Sequence, residues 1–226
     1  MKRRWTEVSR GRWERPTGGM EGYFCFTGGL TTSACDGREH YSIFSALTVE
    51  FDYPVVESAL RHAWQRMRYE QPQLATTAEG TKFVYKVPDE AALNHWLTST
   101  FVVSDAGGSD ELYHRGSPFK QTKLYWIPRS SELVFRARHQ TIDGTGVLMF
   151  WHRYLCALGS PIQPIEFGDE PARLAPVMED ILGLESQSSE KDEQALDVLS
   201  EYINNAPGIG HTSRVGSGMA AVGLQA

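Results

Sequence analysis

The chain has 226 residues, 41% hydrophobic and 22% charged, with a formal net charge of −6. That is the make-up of a water-soluble globular protein of one large or two small domains. The acidic balance argues against nucleic acid as a partner, because phosphate binding wants a basic face, and Met1-Lys2-Arg3-Arg4 is too short for a binding arm.

The opening, Met1 to about Thr32, reads as irregular, with turn signals at Arg15-Pro16-Thr17-Gly18-Gly19 and Thr27-Gly28-Gly29 and a short strand at Tyr23-Phe24-Cys25-Phe26. Tyr41 to Phe51 is rich in β-formers and reads as a strand. Asp52-Tyr53-Pro54 then opens a helix, Asp52 as its cap and Pro54 harmless in a first turn. Val56, Leu60, Ala63, Trp64 and Met67 make one apolar stripe on it, opposite Glu57, Arg61, Gln65, Arg66 and Arg68, and Pro72 stops it. After the turn Ala78-Glu79-Gly80 come a strand (Lys82 to Val87), a short helix (Glu90 to about Leu97) and a short extended piece (Phe101 to Val103). Ser104 to Ser117 reads as a Gly/Ser/Asp-rich loop.

Two strands come next, Lys123 to Ile127 and Glu132 to Arg138. In the second, Leu133, Phe135 and Ala137 share one face and Val134, Arg136 and Arg138 the other. A helix is expected from Gly144 to Leu158 with Val147, Leu148, Trp151, Leu155 and Leu158 as its stripe, ended by Gly159 and Pro161. Pro161 to Pro176 holds four prolines and reads as a surface connection. Val177 to Leu182 reads as a short helix, and Ser189-Glu190-Lys191-Asp192 as a capping box before another that ends near Pro207. The expected organisation is an α/β domain over residues 1–207 and a disordered tail over 208–226.

Phosphate-loop, dinucleotide-binding and nucleophile-elbow motifs are absent from the sequence. The seven histidines show no metal-binding spacing, so no metal site is expected. Cys25, Cys35 and Cys156 are an odd set without C-x-x-C spacing, which fits a reducing compartment. With no apolar run of signal-peptide or membrane-span length, a cytoplasmic protein away from membranes is expected.

The chemistry concentrates at His139-Gln140-Thr141-Ile142-Asp143-Gly144, at the exit of a strand and the entry of a helix. On residues alone this is also a plain strand-to-helix turn, with Asp143 an N-cap and Gly144 a turn residue. In its setting, H-x-x-x-D-G resembles the signature of acyltransferases built on the chloramphenicol-acetyltransferase fold. Trp5, Gly11-Arg12-Trp13-Glu14-Arg15 and Arg173-Leu174-Ala175-Pro176 are most similar to the fungal trichothecene 15-O-acetyltransferase branch. The resemblance implies a two-layer α/β arrangement, a mixed sheet with helices packed on it, forming the N-terminal half of that fold. Peptide-condensation members usually carry a second histidine where this chain has Arg138, which points instead to a stand-alone O- or N-acyltransferase.

By the same resemblance, His139 is the general base that takes a hydroxyl's proton as it attacks a thioester carbonyl. Asp143 pairs with an arginine and braces the loop, and Gly144 lets the backbone pass close as the helix starts. Acetyl-CoA or another acyl-CoA is the implied co-substrate, with no cofactor bound, and a small hydroxylated molecule the acceptor. The D-F-G-W-G type element of the family's second half is not in the sequence. Hence a truncated gene product, self-association through the face left uncovered, or a catalytically inactive half-domain serving as an interaction module are further expectations.

Overall fold

The computed structural model describes residues 3–30, 32, 37, 42–51, 57–184, 197 and 200. The chain divides into two compact units, Met1–Leu184 and Glu185–Ala226, and all elements named below lie in the first. Asp52, Tyr53, Pro54 and Val56, the helix after Ser189, and the boundary at 207/208 with its tail lie outside the described residues.

Two four-stranded sheets form. The first runs β1 (Thr6–Ser9), β2 (Arg12–Pro16), β5 (Lys82–Lys86), β4 (Thr77–Glu79), all antiparallel. The second runs β3 (Ser42–Thr48), β8 (Glu132–Arg138), β7 (Lys123–Ile127), β6 (Phe101–Val103), and is mixed, because β6 lies parallel to β7. The helices are α1 (Gly19–Leu30), α2 (Glu57–Glu70), α3 (Glu90–Thr100), α4 (Ser109–His114), α5 (Gly144–Leu158) and α6 (Met178–Ile181). No helix among the described residues is long and apolar enough to cross a membrane.

One core joins α2, α3 and α5 to a face of the mixed sheet. Leu60, Ala63, Trp64 and Met67 of α2 are buried with Leu133, Phe135 and Ala137 of β8, as their periodicities require. Aromatic rings fill the layer: Trp64 stacks on Trp96 at 5.1 Å, and Phe135 meets Phe150 at 4.1 Å. Two of the polar atoms in this layer are paired, Trp64 Nε1 donating to Thr100 Oγ1 (3.0 Å) and Tyr154 O–H to the Leu60 carbonyl (3.0 Å), while Trp96 Nε1 is buried without a hydrogen-bond partner among the described residues.

Four regions differ from the sequence reading. First, residues 6–30 hold a hairpin and a helix instead of irregular chain with a strand at Tyr23 to Phe26. The hairpin lacks an apolar alternation; Gly11, at φ +72°, turns it, and ion pairs of Arg12 and Glu14 with Glu79 of β4 and Lys82 of β5 tie its β2 strand into the sheet. Helix α1 is held by distant groups that outweigh its poor local propensity. Arg15, itself buried, grips Glu21 through two hydrogen bonds (2.6 and 2.5 Å), and Glu21 also accepts the Gly18 N–H (2.7 Å), as a capping glutamate does. Glu179 accepts the Met20 N–H at 3.2 Å.

Second, the loop read at Ser104 to Ser117 contains α4. Glu132 accepts from Ser130 Oγ (2.6 Å), Ser109 Oγ (2.7 Å) and the Ser109 N–H (2.8 Å), which anchors that helix start to β8. The Ser130 hydroxyl first, then Ser109, hold the Glu132 carboxyl below its usual range.

Third, α5 is apolar nearly all round, so periodicity leaves two stripes open. Aromatic volume decides: Val147, Phe150, Trp151, Tyr154 and Ala157 are buried, while Leu148 is 71% and Leu155 41% exposed.

Fourth, Arg68 is not on the solvent face of α2 but 5% exposed, its guanidinium over Trp96 (4.7 Å) and Phe167 (5.7 Å). The connection from Pro161 to Pro176 is likewise not all surface, because Glu170 is fully buried. Glu170 accepts the Tyr85 O–H (2.8 Å) and the Gly168 N–H. Burial, then the Glu170 carboxylate, drives the Tyr85 phenol far above its usual range, so it stays a donor. Burial pulls the Arg68 guanidinium down, and Tyr85 and Glu170 partly offset this. The substitution Glu170→Ala strands both donors at about 1–3 kcal/mol each. Urea unfolding is therefore expected to show a loss of at least about 2 kcal/mol, whereas exposed Glu166→Ala stays within about 0.5 kcal/mol. Equal losses would contradict this role for Glu170.

Candidate active site

Strand β8 positions the site. It pairs over its whole length with β3, from Thr48↔Glu132 to Ser42↔Arg138, and with β7 from Ile127↔Glu132 to Lys123↔Arg136. A strand bonded on both sides with Leu133, Phe135 and Ala137 at 0% exposure has little freedom to shift. His139 is the residue after the last paired one.

The chain then turns. The Thr141 N–H donates to the Arg138 carbonyl at 2.9 Å. Asp143, in extended conformation, caps α5, its carboxylate accepting the Gly146 N–H at 2.7 Å while its carbonyl takes the Val147 N–H at 3.0 Å. Trp151 Nε1 donates to Ser45 Oγ (2.9 Å) and ties α5 back to β3, next to β8. Both arms of the turn are thus fixed to one sheet.

His139 is half-buried. The ring of Phe24, from α1, stacks on its imidazole with centroids 4.1 Å apart and planes 19° from parallel. Its Nδ1 is buried and has no hydrogen-bond partner among the described residues. Gln140, buried beside it, lays its side-chain amide against the Arg138 guanidinium, and hydrogen-bond satisfaction assigns the amide oxygen to that side, 2.9 Å from Nε. Since Nδ1 is buried, Nε2 is the nitrogen left to meet a substrate.

The three residues singled out in the sequence therefore sit on one turn, but two of the roles expected of them change. Asp143 is exposed and makes no ion pair with an arginine among the described residues; it is the N-cap of α5. Gly144 is not a packing requirement either, since a Cβ there meets nothing within 4 Å and its φ is not left-handed. The tight glycine is Gly146, where a Cβ would lie 2.6 Å from Ile142 Cγ1 and 3.1 Å from Asp143 Oδ1. Sequence reasoning also misses Phe24, which lies far from the motif along the chain and carries no spacing signal.

Elsewhere, a cavity of about 120 Å³ is lined by Arg66, Glu70, His152, Arg153, Cys156, Ala157 and Ser160 and by none of the motif residues. His152 Nε2 lies 3.9 Å from Cys156 Sγ there, both exposed. Among the described residues no three His, Cys, Asp or Glu side chains gather as a metal ion would need. The two stretches near the ends of the first unit that carry the trichothecene-branch resemblance touch, Trp5 Nε1 donating to the Ala175 carbonyl at 2.8 Å.

Comparison with known proteins points the same way. No family model matches the chain. It is 30% identical over 174 residues to the O-acetyltransferase pigM of Monascus ruber, covering 74% of this chain and 34% of that protein. It is 28% identical over 196 residues to the acetyltransferase pigO of Monascus ruber, covering 82% of this chain and 42% of that protein. Among solved structures it matches the trichothecene 15-O-acetyltransferase TRI3 of Fusarium sporotrichioides, with a TM-score of 0.66 and 18% identity over 89% of this chain and 48% of that one. The chain thus spans well under half the length of these curated relatives and about half of the solved structure. The α/β fold is the one shared with TRI3, and the sequence relatives are acetyltransferases.

The contrast between the two glycines is measurable by thermal unfolding. Gly144→Ala is expected to leave the melting temperature unchanged or raise it, by up to about 1 kcal/mol of added stability. Gly146→Ala is expected to lower it by about 1–3 kcal/mol through overpacking against Ile142. The reverse order would contradict this reading of the turn.

Proposed function

We propose that this chain, a homologue of fungal acetyltransferases with the fold seen in a trichothecene 15-O-acetyltransferase, moves an acyl group from a CoA thioester to a hydroxyl acceptor. The observation that carries the proposal is His139, held one residue beyond a strand paired on both sides, in a chain whose sequence relatives are acetyltransferases.

In this reading the acceptor's hydroxyl approaches Nε2 of His139. As its oxygen attacks the thioester carbonyl, Nε2 takes the proton, which is what makes a hydroxyl a competent nucleophile at pH 7. The C–O bond forms and the C–S bond breaks. The proton then passes from Nε2 to the departing CoA sulfur, so the ring ends neutral and ready for another cycle. Asp143 supports this chemistry indirectly, by capping α5 and fixing the turn that carries His139. The reaction fits fungal secondary metabolism, as in the trichothecene acetyltransferase, and the exposed Cys156 thiol, held in no disulfide, fits a cytoplasmic setting. Exposed Met20, Phe26, Leu148 and Met149 favour self-association.

A second reading, a non-catalytic module that keeps the fold, is favoured by one observation: Asp143 lacks the arginine pair that the family resemblance implies, among the described residues.

Thiol release separates the two. The purified chain, given acetyl-CoA and a set of hydroxylated small molecules, is expected to release free CoA, after subtraction of the protein's own cysteines. His139→Ala is expected to cut the rate by about 10²–10⁴-fold with an unchanged melting temperature. No release from the wild-type chain, or equal release from His139→Ala, would favour the module.

A further inference from the structure

We infer that Phe24 is a positioning residue for His139, holding the imidazole plane by its stack where a hydrogen bond to Nδ1 would ordinarily do so. The inference rests on the proposed role of His139 as the base.

Two ring nitrogens usually divide the work in a histidine base: one faces the substrate, and the other is bonded to a carbonyl or carboxylate that sets the ring's orientation. Here that second bond is missing, since Nδ1 is buried without a partner among the described residues. Rotation about the last side-chain torsion, which is broad and poorly fixed by local sterics, is then free of any polar restraint at Nδ1. The Phe24 face, 4.1 Å away and 19° from parallel, blocks that rotation.

Phe24 can do this because it is itself well held. Its helix is anchored at the start by the Arg15–Glu21 fork, by the Gly18 N–H on Glu21 and by Glu179 on the Met20 N–H. Tyr23 packs edge-on against the Phe24 ring at 5.4 Å and 72°. An aromatic face also suits the cycle electrostatically. When Nε2 takes the acceptor's proton the ring becomes an imidazolium, and a cation over an aromatic face is attracted by the ring quadrupole. A leucine of similar bulk offers neither the flat wall nor the quadrupole.

The test uses the full chain and two substitutions. Phe24→Leu keeps the apolar bulk and removes the face; Phe24→Tyr keeps the face. By NMR, the carbon-bound protons of the His139 ring are expected to lie upfield in the wild type, through the ring current of Phe24. They are expected to move downfield and broaden in Phe24→Leu, and to stay in place in Phe24→Tyr. With acetyl-CoA and an acceptor, Phe24→Leu is expected to lose about 10-fold or more in kcat with KM within about 2-fold, and Phe24→Tyr to retain kcat, the pattern of lost alignment. His139 signals unchanged in Phe24→Leu would overturn the inference, as would an unchanged kcat. A wild type without turnover sinks the acyltransferase reading alone, and the NMR arm still decides whether Phe24 fixes the ring. If Phe24→Leu fails to fold, Phe24→Met takes its place, with the same two outcomes.

Discussion

The structure depends on the double pairing of β8. A strand with neighbours on both sides and an alternating face of Leu133, Phe135 and Ala137 locked against α5 cannot slip by one residue without exposing that face. Its register therefore sets where the chain leaves the sheet, and His139 stands at that exit. The next segment is equally constrained: Asp143 starts α5, and Phe150 and Trp151 fasten α5 back onto the sheet. A single histidine is thus placed by backbone pairing and aromatic packing, with no hydrogen bond to its Nδ1 among the described residues.

The antiparallel sheet serves the site from the other side. Its β2 ends in Arg15 and Pro16, and the Arg15 grip on Glu21 starts α1 and brings Phe24 over His139. Its β5 carries Tyr85, which with Arg68 and Glu170 forms a buried polar cluster tying the connection after α5 to α2. Buried charge is weak evidence for stability, yet it is strict about geometry, because a displaced partner leaves desolvated groups unpaired. Each side of the His139 turn is therefore braced by a different kind of interaction.

The parts of this architecture legible in the sequence are those written in local periodicity. Strands β7 and β8 and helix α5 have the bounds that alternation, capping and the Gly159 stop imply, and the buried stripe of α2 matches its spacing. Helix α1 is illegible because Gly22, Gly28 and Gly29 and the β-forming Tyr23 and Phe24 argue against a helix, while its support comes from Arg15 and from Glu179, 159 residues away from Met20. Arg68 looks solvated in the sequence because the rings and carboxylate that enclose it come from distant segments. In the site, the motif's spacing puts His139 and Asp143 on one strand-to-helix turn, as the structure has them, and assigns tightness to Gly144. The contact that matters, Gly146 against Ile142, is a matter of side-chain volume in three dimensions.

The central claim is that acyl donor and acceptor meet at the turn between β8 and α5. The most direct measurement is an NMR titration of the isotope-labelled chain with a non-hydrolysable thioether analogue of acetyl-CoA. The account predicts that the largest shifts fall on the His139 ring and on the amides of Gly144 and Thr145. Largest shifts at the cavity around Arg66, His152 and Cys156, or no saturable shift anywhere, would contradict it.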